Sequence, residues 1–297
     1  MSRGGEGGRS LWTALMAPGA LILLFFFLVP LVMVVVFSFG TVNDLNQPVL
    51  GFSNANYVSV FKPYNMAPVW RTIWFTGIAT GVCLLLGYPV AYLAARFAGR
   101  LGPVVIALVL LPWLVDYLVR IYAWESILTP NGLMPSAMHA LGLGRPNLAG
   151  RNLTVIVGLI YGYLPLMILP IYASVRDLPR DVIEAGKDLF GTPLRVFLGV
   201  TLPLTREGVI GGCLLVSLPM LGDFATAQFL GGPDSTMIGN TINQQFTGGG
   251  SQTVGAAFTV VLIAMLVVVL VIVRLLGRRR ITSTMLGDAR SAVVVTE

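Results

Sequence analysis

Three carboxylates interrupt long apolar runs in this chain of 297 residues. Asp116 lies in LPWLVDYLVRIYAW (111–124), Glu125 follows that stretch directly, and Asp223 lies in LGDFATAQF (221–229). Trp113, Tyr117 and Phe224 stand beside them. An ionised acid at membrane depth costs on the order of 2.5–3.5 kcal/mol, so an acid kept there is a functional candidate. Acids flanked by aromatic faces suit a cation, because the carboxylate offsets its charge and the ring adds cation–π attraction. Each acid also has a plainer reading. Asp116 and Arg120 are four apart and suit a helix-face ion pair. Glu125 falls at the outer end of its run, where Trp and Tyr gather at the membrane interface in any case. Asp223 has no basic neighbour in sequence, which makes it the strongest candidate to line a path.

Covalent or metal chemistry has little to work with. One histidine, His139, reads as a surface residue and leaves no room for a metal cluster or an HExxH helix. Cys83 and Cys213 each lie inside an apolar run and read as small core residues. A phosphate-binding P-loop needs Gly-Lys followed by Ser or Thr. Lys62 is followed by proline and Lys187 by aspartate, and the chain has no other lysine. The chain is therefore not its own P-loop ATPase.

The elements that must carry these residues follow from composition. Hydrophobic residues make up 56% of the chain and charged residues 11%, with a mean hydropathy of +0.83. A soluble domain carries roughly a quarter charged residues, so this chain's outside must face lipid. A spanning helix needs about 20 apolar residues. Six runs qualify: 11–39, 69–95, 104–124, 153–175, 208–230 and 254–276. The first is too long for a cleaved signal peptide and reads as an uncleaved span. With the N-terminus inside, 14 of the 19 Lys and Arg residues fall on the cytoplasmic side, the bias expected of inner loops. Six spans return the C-terminus to that side. The net charge of +6 thus reads as topology rather than as nucleic-acid binding.

The expected organisation is a mobile tail over 1–9, a membrane domain over 10–280 and a second tail over 281–297. The outer loops are 43–65 and 129–152, and NGLMPSAMHALGL in the latter is expected to form a short amphipathic helix. Pro30, Pro89, Pro112, Pro165, Pro170 and Pro219 fall within spans, either as packing residues or as hinges. No internal repeat is visible.

One cytoplasmic stretch is unusual: seven of the thirteen residues from Arg176 to Asp188 carry charge. Pro179 suits a first helical turn. Val182, Ile183, Ala185, Gly186, Leu189 and Phe190 then recur at helical spacing, and Gly191 suits a left-handed stop. Thr192-Pro193 opens a second helix that Leu202-Pro203 closes. Two short helices around a tight turn would either rest on anionic lipid or dock into a groove on another protein. The interleaved acids favour docking.

EAGKDLFGTPLRVFLGVTLP (184–203) resembles the EAA signature of membrane subunits of binding-protein-dependent ABC importers. Glu184 and Ala185 match its start and Leu202-Pro203 its end. Gly186 replaces the second alanine, and the turn glycine falls at Gly191, one place late, with Phe190 in the usual slot. Further segments, including LGYPVAYLAAR (86–96) and the Asp223 stretch, resemble the spermidine/putrescine permease branch. The resemblance implies an all-α membrane protein with the type I importer permease (MetI-like) fold, six transmembrane helices and both termini cytoplasmic. It implies a multi-pass permease of the bacterial inner membrane that is not an enzyme. The implied partners are two copies of a cytoplasmic ABC ATPase that uses ATP and Mg, a second and different permease chain, an extracytoplasmic binding protein and lipid, with no nucleic acid and no cofactor on this chain. Residues 176–203, through Glu184, Ala185, Gly186, Asp188, Phe190, Gly191, Leu202 and Pro203, would couple the ATPase to the membrane. Asp223, Asp116, Trp113, Tyr117, Phe224 and Glu125 would border the path, where a linear polycation finds acids for its ammonium groups and rings for its methylenes. The alternatives are an importer permease for iron(III), thiamine or a sugar, and a non-ABC channel or membrane enzyme.

Overall fold

Helices account for nearly all regular structure in the computed structural model, which describes residues 6–43, 47–142, 144 and 148–278. Residues 1–5 of the expected N-terminal tail, and the whole tail over 281–297, lie outside the described residues. Two units divide the chain: one takes in the chain up to Met66 with Ile242–Val261, the other Ala67–Thr241 with the chain from Leu262 on.

The first unit begins with α1 (Glu6–Ser38), which holds Pro18 and Pro30 inside it. Leu23, Phe26 and Phe27 on α1 are all more than 65% exposed, the surface of a helix whose solvent is lipid. A two-residue hairpin follows, β1 (Thr41–Val42) against β2 (Pro48–Val49). Then α2 (Ala55–Val60) carries buried Asn56 under the end of α1. Its amide donates to Ser38 O (3.0 Å), the last carbonyl of α1, and to Gly40 O (2.8 Å) just beyond it. Thr253, near the start of the last helix, donates to the Asn56 carbonyl at 3.3 Å.

The second unit is built on α3 (Pro63–Arg96), α4 (Gly102–Leu110), α5 (Tyr117–Leu128), α6 (Leu133–Ala140) and α7 (Asn152–Asp177). It continues through α8 (Arg180–Phe190), α9 (Pro193–Val196), α10 (Leu202–Leu204), α11 (Arg206–Leu221) and α12 (Ala225–Leu230). The described residues end with α13 (Ile238–Thr247) and α14 (Gln252–Arg278). α6 is the short outer-loop helix expected from NGLMPSAMHALGL. The core is a seam of α3, α7 and α11, where Ala79, Cys83 and Ala91 meet Leu159, Ile168 and Met220. Cys83 is buried in this core and Cys213 packs against it partly buried, in keeping with small core residues. Small residues let membrane helices approach closely. Gly208 is one such case, since a Cβ there would lie 2.6 Å from Pro170 O on α7.

Among the described residues, four helices are long and apolar enough to cross a membrane: Ala17–Ser38 within α1, α3, α7 and Gln252–Leu275 within α14. Two bent pairs raise the number to six, Gly99–Leu114 with Tyr117–Ala140 (81°) and Pro193–Leu204 with Arg206–Leu221 (68°). Two expected spans are therefore corrected. The run over 104–124 is not one helix: it passes through a 3-10 turn (Leu111–Leu114), turns extended at Val115 and restarts at Tyr117. The run over 208–230 stops at Leu221 and restarts at Ala225. Hydropathy reports how apolar a run is, not whether its backbone is continuous. Of the six prolines named above, Pro112 coincides with a break, whereas the other five lie inside continuous helices.

Candidate functional site

An aspartate stands at each break. At the first, Asp116 is the N-cap of α5, and its Oδ1 accepts from Leu118 N (2.9 Å) and Val119 N (3.3 Å). It thus supplies acceptors for two of the four N–H groups that a helix start leaves open. The ion pair suggested by the Asp116–Arg120 spacing is not formed. Arg120 instead lies over the Tyr117 ring, 5.6 Å from its centroid. Asp116 is exposed, Trp113 is half-buried in the preceding turn, and Glu125 is half-buried further along α5.

At the second break, Asp223 is 6% exposed. Its Oδ1 accepts from Thr226 N at 3.0 Å, which starts α12. Its Oδ2 accepts from the hydroxyls of Thr226 (2.7 Å), Tyr163 (3.2 Å) and Tyr117. A carboxylate has about four lone-pair sites, so four donors nearly saturate it. All four donors are neutral groups, and the nearby cation is Arg120, which lies over the Tyr117 ring rather than on the carboxylate. Phe224, next in the chain, is 43% exposed and not part of the cluster. Its carbonyl accepts from Asn240 Nδ2 at 2.8 Å, which secures the broken segment to α13.

The structure thus brings together Asp223 and Tyr117, two of the six path candidates, and adds Tyr163 and Thr226. A signal for Tyr163 exists in hindsight: a tyrosine hydroxyl inside an apolar run needs a partner. A narrow pocket beside the cluster is lined by Tyr117, Arg120, Trp124 and Tyr161, with Trp124 and Tyr161 edge to face at 5.4 Å. The arrangement offers a buried carboxylate among ring faces. It can attract a cation, but it pairs no nucleophile with a base. Among the described residues no group of three His, Cys, Asp or Glu could hold a metal ion.

The charged stretch folds as two helical pieces around Gly191, whose φ of +69° is the left-handed turn expected there. Pro179 sits one place earlier than expected, as the N-cap of α8 rather than in its first turn. The second piece also runs on past its expected end. α9 passes through a π-helical turn (Phe197–Thr201) into α10, and the bend comes at Thr205. Two departures from the signature acquire a physical reason. A Cβ on Gly186 would meet Val200 Cγ2 at 3.2 Å and Val196 Cγ1 at 3.3 Å, so the missing methyl lets α8 lie close on the second piece. The Phe190 ring lies over Gly199, with Phe190 Cζ 3.7 Å from where a Cβ would stand. Glu184, Ala185 and Asp188 are exposed on α8, as are Leu189 (80%) and Leu194 (67%) around the turn, while Pro203 is partly buried and Leu202 packs on the core. The far end is tied to α3: Tyr88 OH and Thr205 Oγ1 are 2.8 Å apart, and Tyr88 meets Phe197 edge to face.

Comparison with known proteins bears on both regions. Residues 83–282 match the family described as binding-protein-dependent transport system inner membrane component. The chain is 36% identical over 252 residues to the spermidine/putrescine transport system permease protein PotB of Haemophilus influenzae, covering 83% of this chain and 88% of that one. The Escherichia coli K12 protein of the same name is 33% identical over 242 residues, covering 81% and 88%. Among solved structures, a bacterial ABC transporter involved in the import of the acidic polysaccharide alginate has a TM-score of 0.70 at 18% identity, covering 91% of this chain and 96% of that one. The MetNI methionine ABC transporter in an inward-facing conformation has a TM-score of 0.56 at 19% identity, covering 71% and 93%. These two share the fold. With a family match across about two thirds of its length, the chain belongs to the binding-protein-dependent transport system inner membrane components, and is a transport subunit rather than an enzyme.

Proposed function

We propose that the chain is one of two different permease subunits of an ATP-driven polyamine importer in a bacterial inner membrane. The observation that carries the reading is the 36% identity to a spermidine/putrescine permease over 83% of the chain. The buried Asp223 carboxylate between two tyrosines suits that solute, since a linear polycation needs negative charge and ring faces. The four helices and two bent pairs serve as six spans, with both termini cytoplasmic on the arginine bias. Asp223, Tyr117 and Phe224 border the path, with Asp116, Trp113 and Glu125 toward its outer end.

An extracytoplasmic binding protein delivers solute to the outer loops. Two cytoplasmic ATPases, which hold ATP and Mg themselves, close on the α8–α10 segment. Exposed Glu184, Ala185, Asp188 and Phe190 meet the ATPase, and Gly186 and Gly191 keep the two pieces close and sharply turned. Leu202 and Pro203 lead the push into α11, and the Tyr88–Thr205 link passes it to α3. Alternating access follows when α3, α7 and α11 move against the partner permease.

The test is uptake of labelled spermidine into vesicles holding the complete complex, ATP and external binding protein. ATP-dependent, saturable uptake suppressed by excess putrescine is expected. Uptake of thiamine, an iron(III) complex or a sugar in its place would overturn the solute. Solute flux indifferent to ATP would make the protein a channel.

A further inference from the structure

We infer that the end of α3 and the α8–α10 segment form a binding site for one anionic phospholipid. A cleft of about 460 Å³ lies there, bordered by the cations Arg96, Arg180 and Lys187. Glu184 is the carboxylate that lines it, so positive charge prevails. Arg180, Glu184 and Lys187 follow one another at four and three residues along α8 and so share a face, with both cations exposed. Opposite them Arg96, in the last turn of α3, donates through Nη2 to Leu178 O at 2.7 Å. Its Nε is buried without a protein partner. A guanidinium fork with one arm engaged and another donor free matches a phosphate oxygen.

A second feature says what carries that phosphate. Adjoining the cleft is an almost wholly apolar groove of about 300 Å³, lined by Leu84, Leu85, Pro89 and Leu202. Phe197 lines both spaces, standing edge-on to Tyr88 and Tyr92 at 5.2 and 6.5 Å. Leu85 is 72% exposed, so the groove opens at the surface of the chain. From Leu84 to Arg96, α3 rises about 18 Å at 1.5 Å per residue. That is close to one leaflet, half of a roughly 30 Å hydrocarbon core with a headgroup above it. A cationic end joined to an apolar trough of that length fits a headgroup and its acyl chain. A soluble phosphate would fill the cleft and leave the groove unused. None of the residues set along the solute path lines either space, and of those set against the ATPase only Glu184 lines the cleft. The site rests on the cytoplasmic placement of α8 proposed above, where anionic headgroups gather. A lipid held there would brace α8 against α3.

The test reads lipid, not transport, so it stands whether or not polyamines are the solute. The complete complex in neutral detergent is exposed to phosphatidylglycerol, phosphatidylcholine or glycerol 3-phosphate, and retained lipid is counted by native mass spectrometry. Wild type should keep phosphatidylglycerol in preference to phosphatidylcholine. R180Q/K187Q should lower that retention roughly tenfold or more, the scale of removing two cations beside an anionic headgroup. Leu85→Trp, at an exposed position compatible with folding, should block the chain's groove and lower retention with the cations intact. Equal retention by wild type and R180Q/K187Q, or no preference between the two lipids, would overturn the site. Displacement by equimolar glycerol 3-phosphate would overturn it too, since a phosphate alone would then suffice.

Discussion

Asp223 and Glu184 are both carboxylates in a chain where charge is scarce, and they have opposite surroundings. Asp223 is 6% exposed and collects four donors from three helical regions. Glu184 is exposed on α8 between Arg180 and Lys187. A charge inside a membrane protein either has its acceptors filled by the fold or faces water. The first kind ties stability to function, because removing it orphans its donors. The second kind leaves the fold alone and acts through whatever docks on it.

Asp223→Ala is the largest way to break this contrast. It strips a partner from Tyr163 and from Thr226 N, leaves the Tyr117 and Thr226 hydroxyls only each other (2.5 Å), and should cost about 3 kcal/mol. Thermal unfolding in detergent should fall sharply and uptake with it. Asp223→Asn keeps the shape without the charge and should abolish most polyamine uptake with a smaller thermal shift. Unchanged uptake in that variant would leave Asp223 a structural clasp and remove it from the path.

Next comes Gly191→Pro, which a φ of +69° forbids, with a local cost of about 2 kcal/mol. Together with Glu184→Arg it should insert in the membrane normally yet lose ATPase stimulation by loaded binding protein. Normal stimulation in both variants would discard the docking role of this segment.

Tyr163→Phe removes one hydroxyl of the cluster and should cost about 1 kcal/mol, less than the Asp223 variants. A loss as large as that of Asp223→Ala would mean that the cluster stands on Tyr163 rather than on the carboxylate.

Gly186→Ala is the smallest. Alanine gains about 1 kcal/mol of helix propensity. Its Cβ would press on Val200 at 3.2 Å, and the two effects should nearly cancel. In a Val200→Ala background the gain should emerge, and a double-mutant cycle on unfolding midpoints reads that coupling. No coupling would mean that Gly186 is not there for close packing.

Much of this was legible in the residues. Apolar runs marked the membrane segments, and the charge cluster with Gly191 marked a helix–turn–helix. The breaks at Asp116 and Asp223 were not read, although an aspartate two or three residues before a helical turn is a capping signal. Inside an apolar run that signal competes with hydropathy, and hydropathy is blind to backbone hydrogen bonds. The Asp223 cluster was half legible. Thr226 is three residues away, but Tyr163 and Tyr117 lie 60 and 106 residues distant. Nothing local states that their hydroxyls converge.

The sequence by itself determined the solvent, through composition, and the sharp turn at Gly191, through a residue that tolerates positive φ. It also ruled out a P-loop, because neither lysine is followed by Ser or Thr. Only the tertiary structure decided that Asp223 is saturated while Asp116 caps a helix in the open. Only it put Val200 where Gly186 must make room, and brought Arg96 across from α8. The physical reason is the same throughout: composition and backbone preference are properties of single residues and short windows. Saturation, close approach and a shared cleft depend on groups far apart in the chain, and packing alone brings them within a few ångströms.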